Sequence, residues 1–247
     1  MNLVIAQLAD LPPICLDELE RTAALMDRVD RKYLVSRTAL AAAIARIAEE
    51  SRILEIDGLR SFRYRSVYLD TEDFALYRQH VQGRRRRFKV RTRTYVDSGG
   101  SHLEVKSKGV RDRTLKERIP HPRETTAPLD AESSAFVAAI TGMDAAALRP
   151  VAQTDYRRCT LVHGDHRITF DTDLLFCTGG RSAHGPAEVL VETKSAGRAS
   201  AFDRMLVQSG FRPQRVSKYC LAASLLYPHL PDNDFRRLKR RYFTAPA

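Results

Sequence analysis

The sequence has few cysteines and lacks the cysteine and histidine patterns of common zinc sites. Its four cysteines are scattered over 247 residues, and none forms a CxxC pair. The seven histidines show neither HxxxH nor HExxH spacing, so we assign no role to any of them. Scattered cysteines are typical of proteins in a reducing compartment. We therefore expect a cytoplasmic protein without structural zinc.

Long apolar runs and glycine-rich nucleotide loops are also missing. No stretch of eighteen apolar residues occurs, so no membrane-spanning helix is expected. The N-terminal segment lacks a basic region and contains acidic residues, and it does not resemble a signal peptide. GxxxxGK(S/T), GxGxxG and GxSxG motifs are absent from the sequence. This argues against P-loop, Rossmann and α/β-hydrolase sites.

Positive charge, in contrast, is in excess. The 41 lysines and arginines outnumber the 30 acidic residues, which leaves a formal net charge of +11. This excess favours anionic partners, but it does not choose among phosphorylated small molecules, polyphosphate, nucleic acid and an acidic membrane surface. The length predicts a single domain over 1–247, with 1–15 and 228–247 as peripheral or loosely ordered ends.

The periodicity predicts seven or eight strands and several helices, without the strict alternation that a parallel sheet requires. We expect an α+β fold: an antiparallel β-barrel or tunnel of about eight strands, with helices packed outside and space for a ligand inside. Strands are predicted at 28–35, 62–70, 84–96, 102–108, 151–162, 167–176 and 188–194. Helices are predicted at 16–26, 37–50, 71–82, 131–148, 199–209 and 217–227. Residues 109–118 are predicted as a basic loop or a further hairpin.

Three predicted strands carry charged residues at every second position: Lys89–Arg93 (KVRTR), Glu104–Lys108 (EVKSK) and Glu192–Lys194 (ETK). In a strand, residues two apart face the same side. A charged face is costly to cover unless it lines a wet cavity. Lysine and arginine in such a cavity suit a polyanion, and carboxylates suit a divalent metal that accompanies phosphate. A solvated outer face is the alternative for any single run.

Other charged residues leave alternatives open. The four arginines Arg84–Arg87 point alternately to both sides of a strand, which favours a solvated run over a nucleic-acid or membrane patch. Glu192 follows three aliphatic residues, and could be a metal ligand, a salt-bridge partner of inward arginines or a solvated strand end. Asp70, Asp171 and Asp173 follow strands and could bind metal, but we favour turn or structural roles.

Eight segments together resemble one family. The segments are DRKYLV at 30–35, YRSVYLDTEDFALY at 64–77, FKVRTRTY at 88–95, LEVKSK at 103–108, DYRRCTL at 155–161, FDTDL at 170–174, VLVETK at 189–194 and VSKYCLA at 216–222. In this order they resemble the VTC-type polyphosphate polymerase domain of the triphosphate tunnel (CYTH-like) superfamily. The resemblance covers residues 20 to 227, approximately. Each motif alone is weakly specific, whereas eight in the family's order are specific.

The resemblance implies a β-tunnel in which the γ-phosphate of ATP is transferred to a growing polyphosphate chain, with manganese or magnesium as cofactor. It places phosphate-binding basic residues at Lys32, Arg91, Arg93, Lys106, Arg158 and Lys218, and the metal-binding carboxylate at Glu192. We expect the first four to act in catalysis. We expect the last two basic residues to bind substrate, together with Lys89 and Lys194 on the same strand faces.

One departure from the family pattern bears on the reaction. Tunnel enzymes begin with a strand of alternating glutamates, but this strand reads Arg28-Val-Asp30-Arg-Lys32. A two-metal hydrolase site, which needs several inward acids, is therefore poorly supplied, and polymerase activity fits better than triphosphate hydrolysis. The chain also resembles a bare catalytic domain without an SPX-type regulatory region or a membrane anchor.

The alternatives are a triphosphatase of the same fold and a non-catalytic module that binds polyphosphate or nucleotides. The expected partners are ATP or triphosphate and polyphosphate, and no membrane-protein partner is identified. Nucleic-acid binding is disfavoured, because few aromatic residues are interleaved with the basic ones for base stacking.

Overall fold

The computed structural model describes residues 7–22, 29–108, 114–122, 129–195 and 197–243. The strands are β1 (Pro13–Ile14), β2 (Val29–Val35), β3 (Ser51–Leu54), β4 (Phe62–Asp70), β5 (Arg87–Tyr95), β6 (Ser101–Lys108), β7 (Thr114–Pro120), β8 (Arg149–His163), β9 (His166–Thr178), β10 (Arg181–His184) and β11 (Val189–Ser195). The helices are α1 (Leu16–Thr22), α2 (Arg37–Ala45), α3 (Ala75–Val81), α4 (Ala131–Thr141), α5 (Ala201–Gln208), α6 (Lys218–Leu226) and α7 (Asn233–Tyr242). Short 3-10 helices lie at Ala48–Glu50 and Ala145–Ala147.

The chain forms two compact units. Unit 1 comprises Met1–Phe62, Arg157–Asp173 and Pro186–Val216. Unit 2 comprises Arg63–Tyr156, Leu174–Gly185 and Ser217–Ala247. The organisation of 1–247 as a single domain stays a prediction.

Unit 1 is built on the antiparallel strands β2, β11 and β9, with β8 next to β9. The short strand β3 pairs with β8, and β1 adds to β3 in parallel. Residues that alternate along β2, β9 and β11 form the apolar face of this sheet. They pack against α2 and α5 in a core that contains Tyr33, Val35, Leu40, Ile44, Ile168, Phe170, Val189, Val191, Phe202 and Leu206. The opposite face of the same three strands is left for polar residues.

Asp203 joins β2, β11 and α5 behind that face. Its carboxylate accepts hydrogen bonds from the Tyr33 hydroxyl at 2.8 Å and the Thr193 hydroxyl at 2.6 Å. It also accepts from the backbone N–H of Ser200, which completes a capping box at the start of α5. Asp203 is fully buried, so these bonds hold the two strands in register from the core side.

Unit 2 is built on the antiparallel strands β8, β4, β5, β6 and β7, in that order. One face of β4, β5 and β6 packs on α4 through Leu69, Phe88, Val90, Leu103, Val105 and Val137. A second cluster contains residues of β4, α3, α6 and α7, among them Tyr68, Tyr77, Tyr219, Leu230 and Phe235. Unit 2 therefore has one apolar sheet face, whereas the opposite face carries polar residues and also Tyr68, through which the second cluster packs on it.

The α+β class and the antiparallel sheet are confirmed. The strand order runs β2-β11-β9-β8-β4-β5-β6-β7 among the described residues, and closure of the sheet into a barrel stays a prediction. The strand β4 has the predicted bounds, and the alternative of a hairpin after β6 is right, because β7 pairs with it. No helix in the described part of the chain is long and apolar enough to span a membrane.

Several predicted bounds are wrong for local reasons. The helix predicted to reach residue 148 ends at Gly142, which adopts a left-handed φ of 71°, a conformation that terminates helices. The strand predicted to begin at residue 84 begins at Arg87. The predicted strands do not include β10 (Arg181–His184), which pairs with β9. The C-terminal end, expected to be peripheral or loose, contains α7, whose Phe235 is buried because apolar side chains line one side of that basic helix.

Candidate functional site

The polar face of unit 2 is organised in rows that cross the strands. Directly opposite residues in an antiparallel sheet have Cβ atoms about 4.5–5.5 Å apart, so each row is a set of contacting side chains. One row contains Tyr68, Arg91, Glu104 and Arg118, and a neighbouring row contains Lys89, Lys106 and Lys116. A third contains Ser66, Arg93 and His102. Cations therefore outnumber anions on this face.

Arg91 and Glu104 form a buried ion pair at the centre of these rows. The Nε and Nη2 atoms of Arg91 donate to Glu104 Oε2 at 2.9 and 2.6 Å. Lys116 Nζ lies 3.4 Å from the other carboxylate oxygen. Glu104 is 0% exposed and Arg91 8% exposed, so the pair is held away from water. Glu104 is therefore an internal counterion that also fixes the position of the Arg91 guanidinium.

The protonation of this pair follows from its surroundings. Burial alone would raise the pKa of Glu104, but the positive charges of Arg91, Arg93 and Lys116 hold that pKa well below its usual range. Burial lowers the pKa of Lys116, and this effect outweighs the opposing attraction of Glu104. Glu104 is thus a carboxylate at neutral pH and offsets one of the cations around it.

Aromatic rings orient the other cations. The Arg93 guanidinium carbon lies 5.4 Å from the ring centroid of Tyr64, and its Nη2 donates to the Tyr156 hydroxyl at 3.0 Å. Lys218 Nζ lies 4.5 Å from the ring centroid of Tyr156. The rings of Tyr64 and Tyr156 are stacked, with centroids 5.3 Å apart. Such cation–π contacts hold a charge in place without neutralising it, so the cations stay attractive to an anion.

Asp70 has the structural role favoured from the sequence. Its carboxylate accepts hydrogen bonds from the backbone N–H groups of Leu76 and Tyr77, near the start of α3. It also accepts one from the Tyr219 hydroxyl. Tyr219 follows Lys218 at the start of α6 and stacks on Tyr68, with centroids 5.0 Å apart. Asp70 therefore ties α3 and α6 to the strand that supports Arg91.

The polar face of unit 1 carries a second set of rows. Lys32, Glu192 and Thr169 lie opposite one another on β2, β11 and β9, and Asp30, Lys194 and Arg167 form the next row. Lys32 Nζ lies 3.3 Å from Glu192 Oε2, and Lys194 Nζ contacts Glu192 Oε1. The side chains of Glu192 and Lys194 are 14% and 12% exposed. Glu192 is therefore a largely buried carboxylate between two ammonium groups.

The two lysines respond differently to this environment. Burial would lower the pKa of Lys32, but Glu192 and Asp30 raise it above its ordinary value. Burial lowers the pKa of Lys194 and outweighs the attraction of the same two carboxylates. Lys32 is thus the more firmly protonated cation of the pair.

Arg158 and Asp171 form a second buried ion pair in unit 1. Arg158 Nε and Nη2 donate to the two oxygens of Asp171 at 2.6 and 2.7 Å, and Asp171 is 0% exposed. Arg157, on the other side of β8, is exposed, which favours Arg158 as the inward residue of the two. Asp171 therefore has a structural role in mid-strand instead of the turn role also considered for it. Asp173 has a left-handed φ of 54° and lies 3.6 Å from Arg37.

Glu192 is the candidate metal ligand, and a divalent cation bound to it would take the place of the Lys32 and Lys194 ammonium groups at its two oxygens. The Thr169 hydroxyl opposite it is buried, with no hydrogen-bond partner in the described part of the chain. Within that part there is no group of three His, Cys, Asp or Glu residues that could hold a metal. Magnesium is often bound through one or two protein oxygens, with waters and substrate phosphates as the other ligands. Glu192 would hold such an ion together with phosphate, rather than within an all-protein cage.

The structure distributes the predicted site residues between the two units. Unit 2 contains Lys89, Arg91, Arg93, Lys106 and Lys218, and unit 1 contains Lys32, Arg158, Lys194 and Glu192. All but Arg158 and Lys218 lie on strands with alternating charge, as expected. Arg84, Arg85 and Arg86 precede β5 and are exposed, in agreement with the solvated interpretation of that run. Arg28 lies outside the described residues.

Four polar residues of these faces were given no binding role in the sequence analysis: Glu104, Lys116, Thr169 and Asp171. In the structure, each of them lies opposite or next to a predicted site residue. Glu104 was noted for its spacing, but its pairing with Arg91 depends on the register of the β5–β6 hairpin. The available signal for that register is the segment Asp97-Ser-Gly-Gly100 between the two strands, which is typical of a hairpin turn.

The fold is similar to that of two solved structures. One is a proposed adenylate cyclase from Bacillus halodurans, with 13% identity and a TM-score of 0.56, covering 81% of this chain and 97% of that one. The other is a proposed adenylyl cyclase from Hippeastrum with a dominant triphosphatase activity. It has 15% identity and a TM-score of 0.53, and the match covers 83% of this chain and 98% of that one. At such identities the likeness establishes the fold alone.

The family is established by the sequence itself. Residues 27–227 match the family described as the VTC domain, and this range is most of the 247-residue chain. The chain belongs to the VTC domain family. A comparison with curated proteins found no match.

Proposed function

We propose that this protein is a polyphosphate polymerase-like phosphotransferase, which moves the γ-phosphate of ATP to a polyphosphate chain with a divalent metal. Membership of the VTC domain family supports the reaction class. The observation that carries the proposal is the buried and half-buried cationic face of unit 2. Arg91 and Arg93 are only 8% and 9% exposed. Glu104 offsets one of the three positive charges of Arg91, Arg93 and Lys116 around it, and the positive charge that remains is costly to keep from water unless it binds anions.

The residues have separate roles in this proposal. Arg91, Arg93, Lys106 and Lys32 bind phosphates of the nucleotide and offset the charge that develops on the transferred group. Lys89, Arg158, Lys194 and Lys218 bind the acceptor chain or the remaining phosphates. When bound, the metal at Glu192 would supply positive charge to phosphate oxygens. No side-chain nucleophile is needed, because an oxygen of the acceptor phosphate attacks the γ-phosphorus, the bond to the β–γ bridging oxygen breaks, and ADP leaves.

The ion pairs prepare these cations for an anion. Glu192 holds Lys32 and Lys194, and Glu104 holds Arg91. In the absence of substrate, these carboxylates offset part of the mutual repulsion of the cations. A phosphate chain then offers further oxygens to side chains that are already in position, which lowers the entropic cost of binding.

Triphosphate hydrolysis is the second candidate. The structurally similar protein from Hippeastrum has a dominant triphosphatase activity, and hydrolysis would need the same cations with water as acceptor. Besides Glu192, the polar face of unit 1 carries Asp30, which lies opposite Lys194, and Asp171, which is bound by Arg158. The described residues contain no group of three His, Cys, Asp or Glu residues that could hold a metal. This supports transfer to phosphate over a hydrolase that relies on two metals held by protein acids.

The test is incubation of the purified protein with ATP and manganese, followed by gel electrophoresis for polymer and an assay for free phosphate. A polymer ladder that requires the metal is expected. Free phosphate without polymer would replace the proposal with the triphosphatase. Binding of polyphosphate without any turnover would indicate a binding module.

A further inference from the structure

The Thr169 hydroxyl is a buried polar group on the polar face of unit 1. Thr169 is 3% exposed, and its Oγ1 is unpartnered among the described residues. Leaving a buried hydroxyl unsatisfied costs about 1–3 kcal/mol. Valine would fill the same space in a strand without that cost. Such a hydroxyl has room for a bond to a ligand, and its neighbours decide whether a ligand can reach it.

The position of Thr169 indicates which ligand this is. Thr169 lies directly opposite Glu192 in the β9–β11 register, so their Cβ atoms are about 4.5–5.5 Å apart. Both side chains are on the polar face of unit 1, since Ile168 and Phe170 on either side of Thr169 belong to the core. A carboxylate oxygen and a hydroxyl oxygen at this spacing are both hard donors of the kind that magnesium and manganese prefer.

We propose that the Thr169 hydroxyl is a second protein ligand, beside Glu192, for the divalent metal that accompanies the phosphates. The inference rests on the proposed function, because the metal binds together with a phosphate chain. A neutral hydroxyl adds a ligand without adding charge. The Thr169 oxygen is contacted by no described ammonium group, whereas Lys32 and Lys194 contact both oxygens of Glu192.

The test compares two affinities for β,γ-imido-ATP, a non-hydrolysable analogue, by calorimetry. One is measured with excess EDTA and the other with saturating manganese, and their ratio is the gain in affinity due to the metal. Thr169→Val is expected to bind the analogue as well as the wild type does without metal. Its metal-dependent gain in affinity is expected to be about tenfold smaller than that of the wild type. Glu192→Gln is expected to lose this gain as well. Thr169→Ser, which retains the oxygen, is expected to restore most of it.

Thr154→Val is the matched control, because Thr154 is the other described threonine with a fully buried and unpartnered hydroxyl. It makes the same change of hydroxyl to methyl, and it is expected to keep the metal-dependent gain. Neither valine variant should lose thermal stability without ligand, since removing an unsatisfied hydroxyl is neutral or stabilising.

The other outcomes overturn the inference. Equal loss of affinity with and without manganese would make Thr169 a phosphate contact instead of a metal ligand. An unchanged metal-dependent gain in Thr169→Val would leave the residue a structural one. Absence of any gain in the wild-type protein would remove the metal site itself. None of these measurements needs turnover, so failure of the polymerase proposal in the gel assay is seen separately.

Discussion

Replacement of Glu104 by glutamine tests the internal counterion most sharply. The variant keeps the shape of the side chain but removes the negative charge opposite Arg91, whose guanidinium is bound by Glu104 at 2.6 and 2.9 Å. Removing one partner of a buried ion pair typically costs about 3–5 kcal/mol. Because glutamine retains an acceptor oxygen, we expect a loss near the lower limit, about 3 kcal/mol.

The assay is thermal unfolding, with and without inorganic triphosphate. For a chain of this size, about 3 kcal/mol corresponds to a decrease in Tm of about 6–12 °C. Triphosphate should raise the Tm of Glu104→Gln more than that of the wild type, because the phosphates replace the missing negative charge. The double variant Arg91→Met with Glu104→Leu should recover stability, since an apolar pair removes both buried charges. Its response to triphosphate should be smaller than that of the wild type, because one of the phosphate-binding cations is missing.

Glu117→Gln is the matched control. Glu117 is exposed on β7, so this variant makes the same substitution at the surface. Surface substitutions usually change the free energy of unfolding by no more than about 0.5 kcal/mol. A Tm of Glu104→Gln close to that of Glu117→Gln would refute the counterion role. An equal rise in Tm with triphosphate in the wild type, Glu104→Gln and Glu117→Gln would show that Arg91 does not contact the anion.

Three further predictions concern the cationic face of unit 2, the Glu104 carboxylate and the packing of α7. Arg91→Ala and Lys106→Ala should each abolish turnover and weaken triphosphate binding about tenfold or more, since each removes a charge-assisted contact. The exposed Arg84→Ala should change triphosphate binding little. Similar affinities for all three variants in calorimetry would contradict the site. The pKa of Glu104 is lowered on folding from its ordinary 4.5, so its stabilising contribution is present above this pH and is lost as the pH falls below it. The Tm of the wild type should therefore fall more steeply in acid than that of Glu104→Gln, and parallel curves would disprove this. Phe235→Ala should cost about 3–5 kcal/mol of unfolding free energy in a denaturant titration; a neutral result would show that α7 is not docked.

The strand faces were predictable because side-chain alternation is a local property of a strand. The spacing of Lys89, Arg91 and Arg93 predicted one shared face, and the structure places the other parity, Phe88 and Val90, in the core. The bounds of β4 were predictable for the same reason, since its aromatic and β-branched residues favour a strand.

The partners across the strands were not predictable to the same degree. Whether Glu104 lies opposite Arg91 depends on the register of the hairpin, and a shift by one residue would point it to the other face. The pairing of Arg158 with Asp171 likewise depends on how β8 and β9 align. Whether the Thr169 hydroxyl has a hydrogen-bond partner depends on which groups surround it in the folded protein. The sequence around a threonine in a strand does not indicate this.

The most direct test of the central claim uses ATP labelled at the γ-phosphate, with manganese and a short polyphosphate primer. The account predicts that label enters chains longer than the primer and that Arg91→Ala abolishes this incorporation. Label found only in free phosphate, or incorporation that persists in Arg91→Ala, would contradict it.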